Sequence, residues 1–321
     1  MPWLDLFRGV AVGFMMEAHV LNTFLAGGLR AGEWFVWINY INGLVAPAFL
    51  WIAGYLQGLG MRPVGAEGRV GRKLRKLAWL AALGYALHLP GAQLQAGHWA
   101  EALRIGSQVD VLQCLAFALA LVVCVERWMG RFQTAALGVG LVLFVGAAEA
   151  LKSWQLGTVP LRAFVNTTTG SLFPLWPWAG FVLAGALMGR WVGRGAAAFS
   201  PVHALWPVGV SLALYGAIPE PEVFSAQSAS FFFERLSWVT AVAWICQWIF
   251  KGRAPSWILL AGRQSLLLYA GHLILLGWLS AAGVKELSYP GVFWTWLAVL
   301  VGMAGLARAR ERWSARSLQP A

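Results

Sequence analysis

Arg8 and His19 are the residues whose types and spacing best suit chemistry in this chain. An imidazole exchanges protons near neutral pH and can act as base or nucleophile. A guanidinium offers a planar fork of donors to a carboxylate or phosphate. Arg8 and His19 are eleven residues apart. At about 3.6 residues per turn that is about three turns, so a helix puts both on one face with a rise of about 16 Å between them. Asp5, three before Arg8, and Asn22, three after His19, continue the same stripe, while Glu17 points to another side and suits a helix–helix hydrogen bond. Asp5 either orients the Arg8 guanidinium or forms an i,i+3 ion pair with it. The plainer alternative for His19 is a buried ring bonded to a neighbouring helix.

The element that must carry this stripe is Leu4–Phe24, LDLFRGVAVGFMMEAHVLNTF, apolar enough to cross a membrane. A charged side chain near a bilayer centre costs roughly 2.5 to 3.5 kcal/mol, so such groups face a protein interior or a watery cavity and mark a site. Its polar stripe and length predict an uncleaved anchor rather than a signal peptide. The whole chain has the same character. Its 321 residues are 59% hydrophobic and 12% charged, with mean hydropathy +0.65, which excludes an ordinary soluble domain. Apolar runs of roughly 17 to 23 residues predict spanning helices and exclude a β-barrel.

The fold class expected is therefore all-α, a polytopic integral membrane protein with about ten transmembrane helices. They fall at roughly 4–25, 36–59, 74–90, 108–126, 132–150, 172–190, 202–218, 231–250, 256–280 and 291–307. With the amino terminus inside, sixteen Lys and Arg fall in cytoplasmic segments and five, Arg30, Arg104, Lys152, Arg162 and Lys285, in outer loops. That asymmetry fits the positive-inside rule and predicts both termini cytoplasmic. Residues 1–307 then form a single transmembrane domain and 308–321 a basic cytoplasmic tail. The formal charge of +11 sits at helix ends without a nucleic-acid motif, so the expected partner is anionic membrane lipid and not nucleic acid.

Other polar groups punctuate the apolar runs. MRPVGAEGRVGRKLRKLAW, Met61 to Trp79, sets Gly65, Gly68 and Gly71 among Arg69, Arg72, Lys73 and Lys76. These cations either receive an anionic ligand or fix topology against lipid, and GxxxxGK[ST] is missing. Ser265, Tyr269 and His272 recur at i, i+4, i+7, a second polar helix face suited to a packing network or to supporting His19. Asn39 and Asn42 lie three apart and suit a cavity wall. His88, His98 and His203 read as interfacial, and no metal-ligand spacing appears. Cys114, Cys124 and Cys246 read as small buried hydrophobes. Asp110, Glu149, Glu234 and Arg235 fall near outer ends of spans. Ala46–Arg62 and Phe173–Arg190 look loosely alike, each running from a proline through spaced glycines to an arginine, and small residues such as Gly54, Gly58, Gly180 and Gly185 are expected where membrane helices pack closely.

Four stretches carry a family resemblance: LDLFRGVAVGFMMEAH with Arg8 and His19, INGLVAPAFLWIAGY, FPLWPWAGFVLAGALMGR, and GRQSLLLYAGHLILL. In them the chain resembles bacterial membrane acyltransferases with a heparan-alpha-glucosaminide N-acetyltransferase-like catalytic domain and, more distantly, the acyltransferase-3 family. Animal lysosomal relatives place an asparagine where His19 stands and a histidine in a longer luminal loop, so the bacterial pattern is the one that fits. The resemblance implies transfer of an acyl group, acetyl from cytoplasmic acetyl-CoA, to a hydroxyl or amine of a sugar or other glycan-like cell-envelope acceptor, without a metal, in a bacterial cytoplasmic membrane. His19 would deprotonate the acceptor or carry the acyl group, Arg8 would hold a phosphate or the thioester end, and Asp5 would orient it. Arg69, Arg72, Lys73 and Lys76 would take the CoA phosphates. Asn22, Asn39, Asn42, Ser265, Tyr269 and His272 would line the acceptor cavity. The rival classes are a transporter or flippase using the same intramembrane charges, and a non-catalytic membrane scaffold.

Overall fold

A computed structural model describes residues 1–61, 70–193, 205–210, 212–213, 225–250 and 254–316. Among the described residues all regular structure is helical, with one isolated parallel bridge between Leu25 and Leu287. The chain divides into two compact units, residues 1–48 with 242–321, and residues 49–241.

The first unit is built on α1, Pro2–Phe24, with a proline in its first turn where a missing N–H costs nothing. After it come α2, Glu33–Asn42, and the start of α3, Val45–Leu59. The span expected from sequence over residues 256–280 falls on a bent segment. The segment is two helices, Ser256–Arg263 and Ser265–Ala281, bent by 84° at a break of one residue. Gln264 at the break, at φ −104° and ψ 21°, donates from Nε2 to the Ala307 carbonyl at 3.0 Å. The last helix of the unit, Tyr289–Arg316, runs unbroken past residue 307, where the sequence suggested a separate basic tail.

The first half of the bent pair lies against α1 backbone to backbone. A Cβ on Gly262 would sit 1.9 Å from the Asp5 carbonyl oxygen, and one on Gly9 would sit 2.2 Å from the Ile258 carbonyl oxygen. Only glycine allows that approach. Farther along α1, Trp296 Nε1 donates to the Gly13 carbonyl at 3.1 Å. At the end of α1, Ala26 N–H donates to Leu287 O at 2.9 Å and Leu287 N–H to Phe24 O at 2.7 Å. Glu286 holds a left-handed φ of 54° there, and its carboxylate accepts from Gly27 N–H.

The second unit holds the rest of α3, then α4 (Val70–Leu87), α5 (Gly91–Gln95), α6 (Trp99–Gly106), α7 (Val111–Trp128), α8 (Gln133–Gly146), α9 (Ala148–Leu151), α10 (Val159–Val165) and α11 (Leu175–Gly193). It also holds the first part of α12, Ala229–Phe250. In chain order the bent pair of the first unit is then α13 and α14, and Tyr289–Arg316 is α15. The two look-alike segments pack on each other as parallel helices. A Cβ on Gly54 or Gly58 would sit 2.0 or 2.1 Å from the carbonyl oxygens of Val182 and Ala186. One on Gly185 or Gly189 would sit 2.1 or 2.2 Å from those of Trp51 and Tyr55. Gly180 instead faces the Phe232 ring and the Val145 side chain.

Polar clamps close the unit. Glu126 Oε2 accepts from Gln57 Nε2 at 2.8 Å and from Lys73 Nζ at 2.6 Å, tying α3 and α4 to α7. Asp110 caps α7 through Val111 N–H at 2.7 Å and faces His88 Nε2 at 3.1 Å. Buried Asn166 donates to the Leu151 and Trp154 carbonyls, and Gln227 to those of Val165 and Trp176. The three cysteines are unpaired, Cys114 and Cys246 being buried.

Among the described residues three helical stretches, Glu33–Leu59, Val111–Trp128 and Tyr289–Ala315, are by length and composition long and apolar enough to cross a membrane, and four if the bent pair counts as one.

Candidate active site

The site is built on the polar stripe of α1, and the structure supplies its partner. Arg8 Nη2 donates to Ser265 Oγ at 2.9 Å, at the first residue of α14. Eleven residues along α1, the His19 ring meets His272, seven residues along α14, with His272 Nε2 3.0 Å from His19 Nδ1. The centroids lie 5.0 Å apart with the planes tilted by 43°. Three turns of one helix thus match two turns of the other, and the two predicted polar faces are opposite sides of one seam.

Each ring is also held by its own helix. His19 Nδ1 lies 2.9 Å from the Met15 carbonyl oxygen and His272 Nδ1 lies 2.8 Å from that of Leu268. His272 is fully buried, whereas His19 is half-buried. Tyr269 is buried edge-on to His272, with centroids 5.8 Å apart. The break at Gln264 is what aims this face: it starts α14 at Ser265, so Ser265, Tyr269 and His272 share one side of a fresh helix.

Arg8 is bonded to Ser265, and among the described residues no ion pair links it to Asp5. Of the two roles the sequence offers Asp5, the i,i+3 ion pair within 4 Å is not formed, and the backbone of Asp5 seats Gly262. The asparagines form two bridges between α1 and α2. Asn22 Nδ2 donates to Asn39 Oδ1 at 2.8 Å, and Asn42 Nδ2 to Glu17 Oε2 at 2.5 Å. Glu17 thus makes the helix–helix bond that its off-face position predicts. Asn42 is 8% exposed and its Oδ1 finds no partner, while Asn22 is exposed.

The basic segment belongs to the second unit. Arg72 and Lys76 are exposed on α4, and Lys73 is engaged by Glu126. Arg69 lies outside the described residues, as do Gly65 and Gly68. Among the described residues no group of three or more His, Cys, Asp or Glu is placed to hold a metal ion. Sequence reasoning missed two features, the Glu126 clamp and the helix break. The clamp joins residues 53 and 69 positions apart and leaves no local pattern. The break had a signal, the quartet Gly262-Arg263-Gln264-Ser265 inside an apolar run.

Helical structure among the described residues and this hydropathy fit a membrane protein, and a histidine pair and an arginine lie along one of its helix–helix seams. The family comparison then gives the class of reaction. Residues 1–217 match the family described as "Heparan-alpha-glucosaminide N-acetyltransferase, catalytic", and the chain belongs to it. A search of curated proteins found no match. The matched residues include Arg8 and His19, whereas Ser265 and His272 lie beyond them.

Proposed function

We propose that this protein moves an acyl group, acetyl first among them, from an acyl-CoA thioester to a hydroxyl or amine of a sugar or glycan-like envelope acceptor. The observation that carries the reading is His19, half-buried within the family-matched residues and bonded through Nδ1 to a second, fully buried histidine. The acceptor oxygen or nitrogen attacks the thioester carbonyl carbon, a C–O or C–N bond forms and the C–S bond breaks. His19 takes the acceptor's proton and returns it to the departing sulfur, so that CoA leaves as the thiol. Arg8 offers donors to the thioester oxygen or a phosphate of the donor. The basic residues Arg69, Arg72, Lys73 and Lys76 remain the sequence's candidates for CoA phosphates; of these Arg72 and Lys76 are exposed and Lys73 is engaged by Glu126.

The same reading puts the chain in a bacterial cytoplasmic membrane with about ten spans and both termini inside, on the strength of its loop charges. Purified protein with acetyl-CoA and a panel of amino sugars and glycan fragments tests it: acceptor-dependent release of CoA thiol supports the proposal. One observation favours a second reading. Helices broken by a sharp bend form binding sites in transporters, and α13 and α14 are bent by 84°. Substrate uptake into proteoliposomes lacking any acyl donor, without thiol release, would establish transport instead.

A further inference from the structure

Three contacts, at His272 Nδ1, at His19 Nδ1 and between His272 Nε2 and His19 Nδ1, are satisfied together by one arrangement of protons, and it gives His272 a task. The Leu268 carbonyl can only accept, so His272 Nδ1 carries a proton and donates to it at 2.8 Å. In the neutral ring Nε2 of His272 is then an acceptor. His19 Nδ1 faces two acceptors, the Met15 carbonyl at 2.9 Å and His272 Nε2 at 3.0 Å, so it must carry the proton and share it between them. The lone pair of His19 is thereby fixed on Nε2. The alternative tautomer of His19 would set a lone pair at Nδ1 against both the Met15 oxygen and the His272 lone pair. A proton added to His272 Nε2 would set donor against donor.

From this geometry we infer that His272 is a positioning residue, which locks His19 as the Nδ1–H tautomer and presents Nε2 as the base for acyl transfer. The inference rests on the proposed acyltransferase reading. When the attacking hydroxyl or amine gives its proton to Nε2, His19 becomes an imidazolium whose Nδ1–H already points at the His272 lone pair and the Met15 carbonyl. No side chain needs to turn as the charge appears. The chain of bonds runs from the Leu268 carbonyl through His272 to His19. It is anchored at both ends by backbone one turn back on each ring's own helix, so α1 and α14 must both be in place for the tautomer to be set. Full burial of His272 keeps water from competing for the His19 Nδ1 proton.

His272→Phe removes the acceptor while filling the space, and His272→Gln restores an acceptor oxygen near the position of Nε2. The inference predicts a fall in kcat of about a hundredfold for the Phe variant at nearly unchanged KM for acetyl-CoA, with Gln recovering most of it. Nitrogen-15 NMR of labelled histidine in nanodiscs should show His19 as the Nδ1–H tautomer in the native protein and the Gln variant, and a tautomer mixture in the Phe variant. A folded Phe variant with native kcat, or native protein with His19 protonated on Nε2, overturns it. Should the Phe variant fail to fold, the native tautomer and the kcat of the Gln variant decide the matter. Absence of acceptor-dependent thiol release from the native protein would instead remove the acyl-transfer reading itself, and full turnover in His19→Ala would remove His19 as its base. An inactive His19→Ala beside a fully active His272→Phe would remove only the role of His272.

Discussion

At the scale of single residues, a hydrogen bond decides what each charged group on α1 is free to do. Arg8 spends one donor on Ser265 and, lacking an ion pair with Asp5 among the described residues, keeps others for a substrate. Arg8→Gln should therefore raise KM for acetyl-CoA roughly tenfold, the size of one charge-assisted bond, with a smaller change in kcat. An unchanged KM in a donor titration would reduce Arg8 to a tie between α1 and α14. The stripe itself was legible because helical periodicity is local: positions 5, 8, 19 and 22 fall on one face in any helix. So was the face of Ser265, Tyr269 and His272. Their meeting was not legible, since nothing within either stripe encodes which other stripe it will face.

At the scale of elements, glycine sets the geometry. α3 and α11 approach until each carbonyl ridge lies where the other's Cβ would stand, and the same spacing separates Gly54 from Gly185 and Gly58 from Gly189. The contact is thus locally two-fold, which gives the faint likeness of the two segments a structural counterpart: each helix presents the small face that the other needs. Gly185→Ala should force the pair apart and cost about 1 to 3 kcal/mol, read as a lowered Tm in detergent. Gly262→Ala acts in the first unit, where its Cβ would strike the Asp5 carbonyl. It should lower Tm similarly and also weaken activity, because the shifted α13 carries Ser265 away from Arg8. Activity that survives Gly262→Ala intact would show that the α1–α13 contact does not position the site. Hydropathy located these helices but ran α13 and α14 together. An apolar run reads the same across a bend unless the polar quartet inside it is taken as a helix end.

At the scale of the whole molecule, charge distribution and hydropathy speak to different questions. Among the described residues three helical stretches, or four with the bent pair, qualify as spans by length and composition alone. α1 is set apart by Asp5, Arg8 and Glu17, and α4 by Arg72, Lys73, Arg75 and Lys76, although both are apolar elsewhere. In α1 two of those charges, Arg8 and Glu17, bond to neighbouring helices, which is the way charged groups are held in an apolar helix. The loop asymmetry predicts the orientation. Single cysteines introduced at Arg30 and Lys285 should react with an impermeant thiol reagent from outside intact cells, and one at Arg131 should not. Labelling of Arg131→Cys from outside would invert the topology and with it the cytoplasmic donor.

The central claim is that His19 moves the proton during acyl transfer, and the most direct measurement is CoA thiol release by purified native protein and by His19→Ala at saturating acetyl-CoA. The account predicts that the variant folds with a native Tm, still binds acetyl-CoA, and loses turnover by at least about a hundredfold. Equal turnover in a folded His19→Ala protein would contradict it.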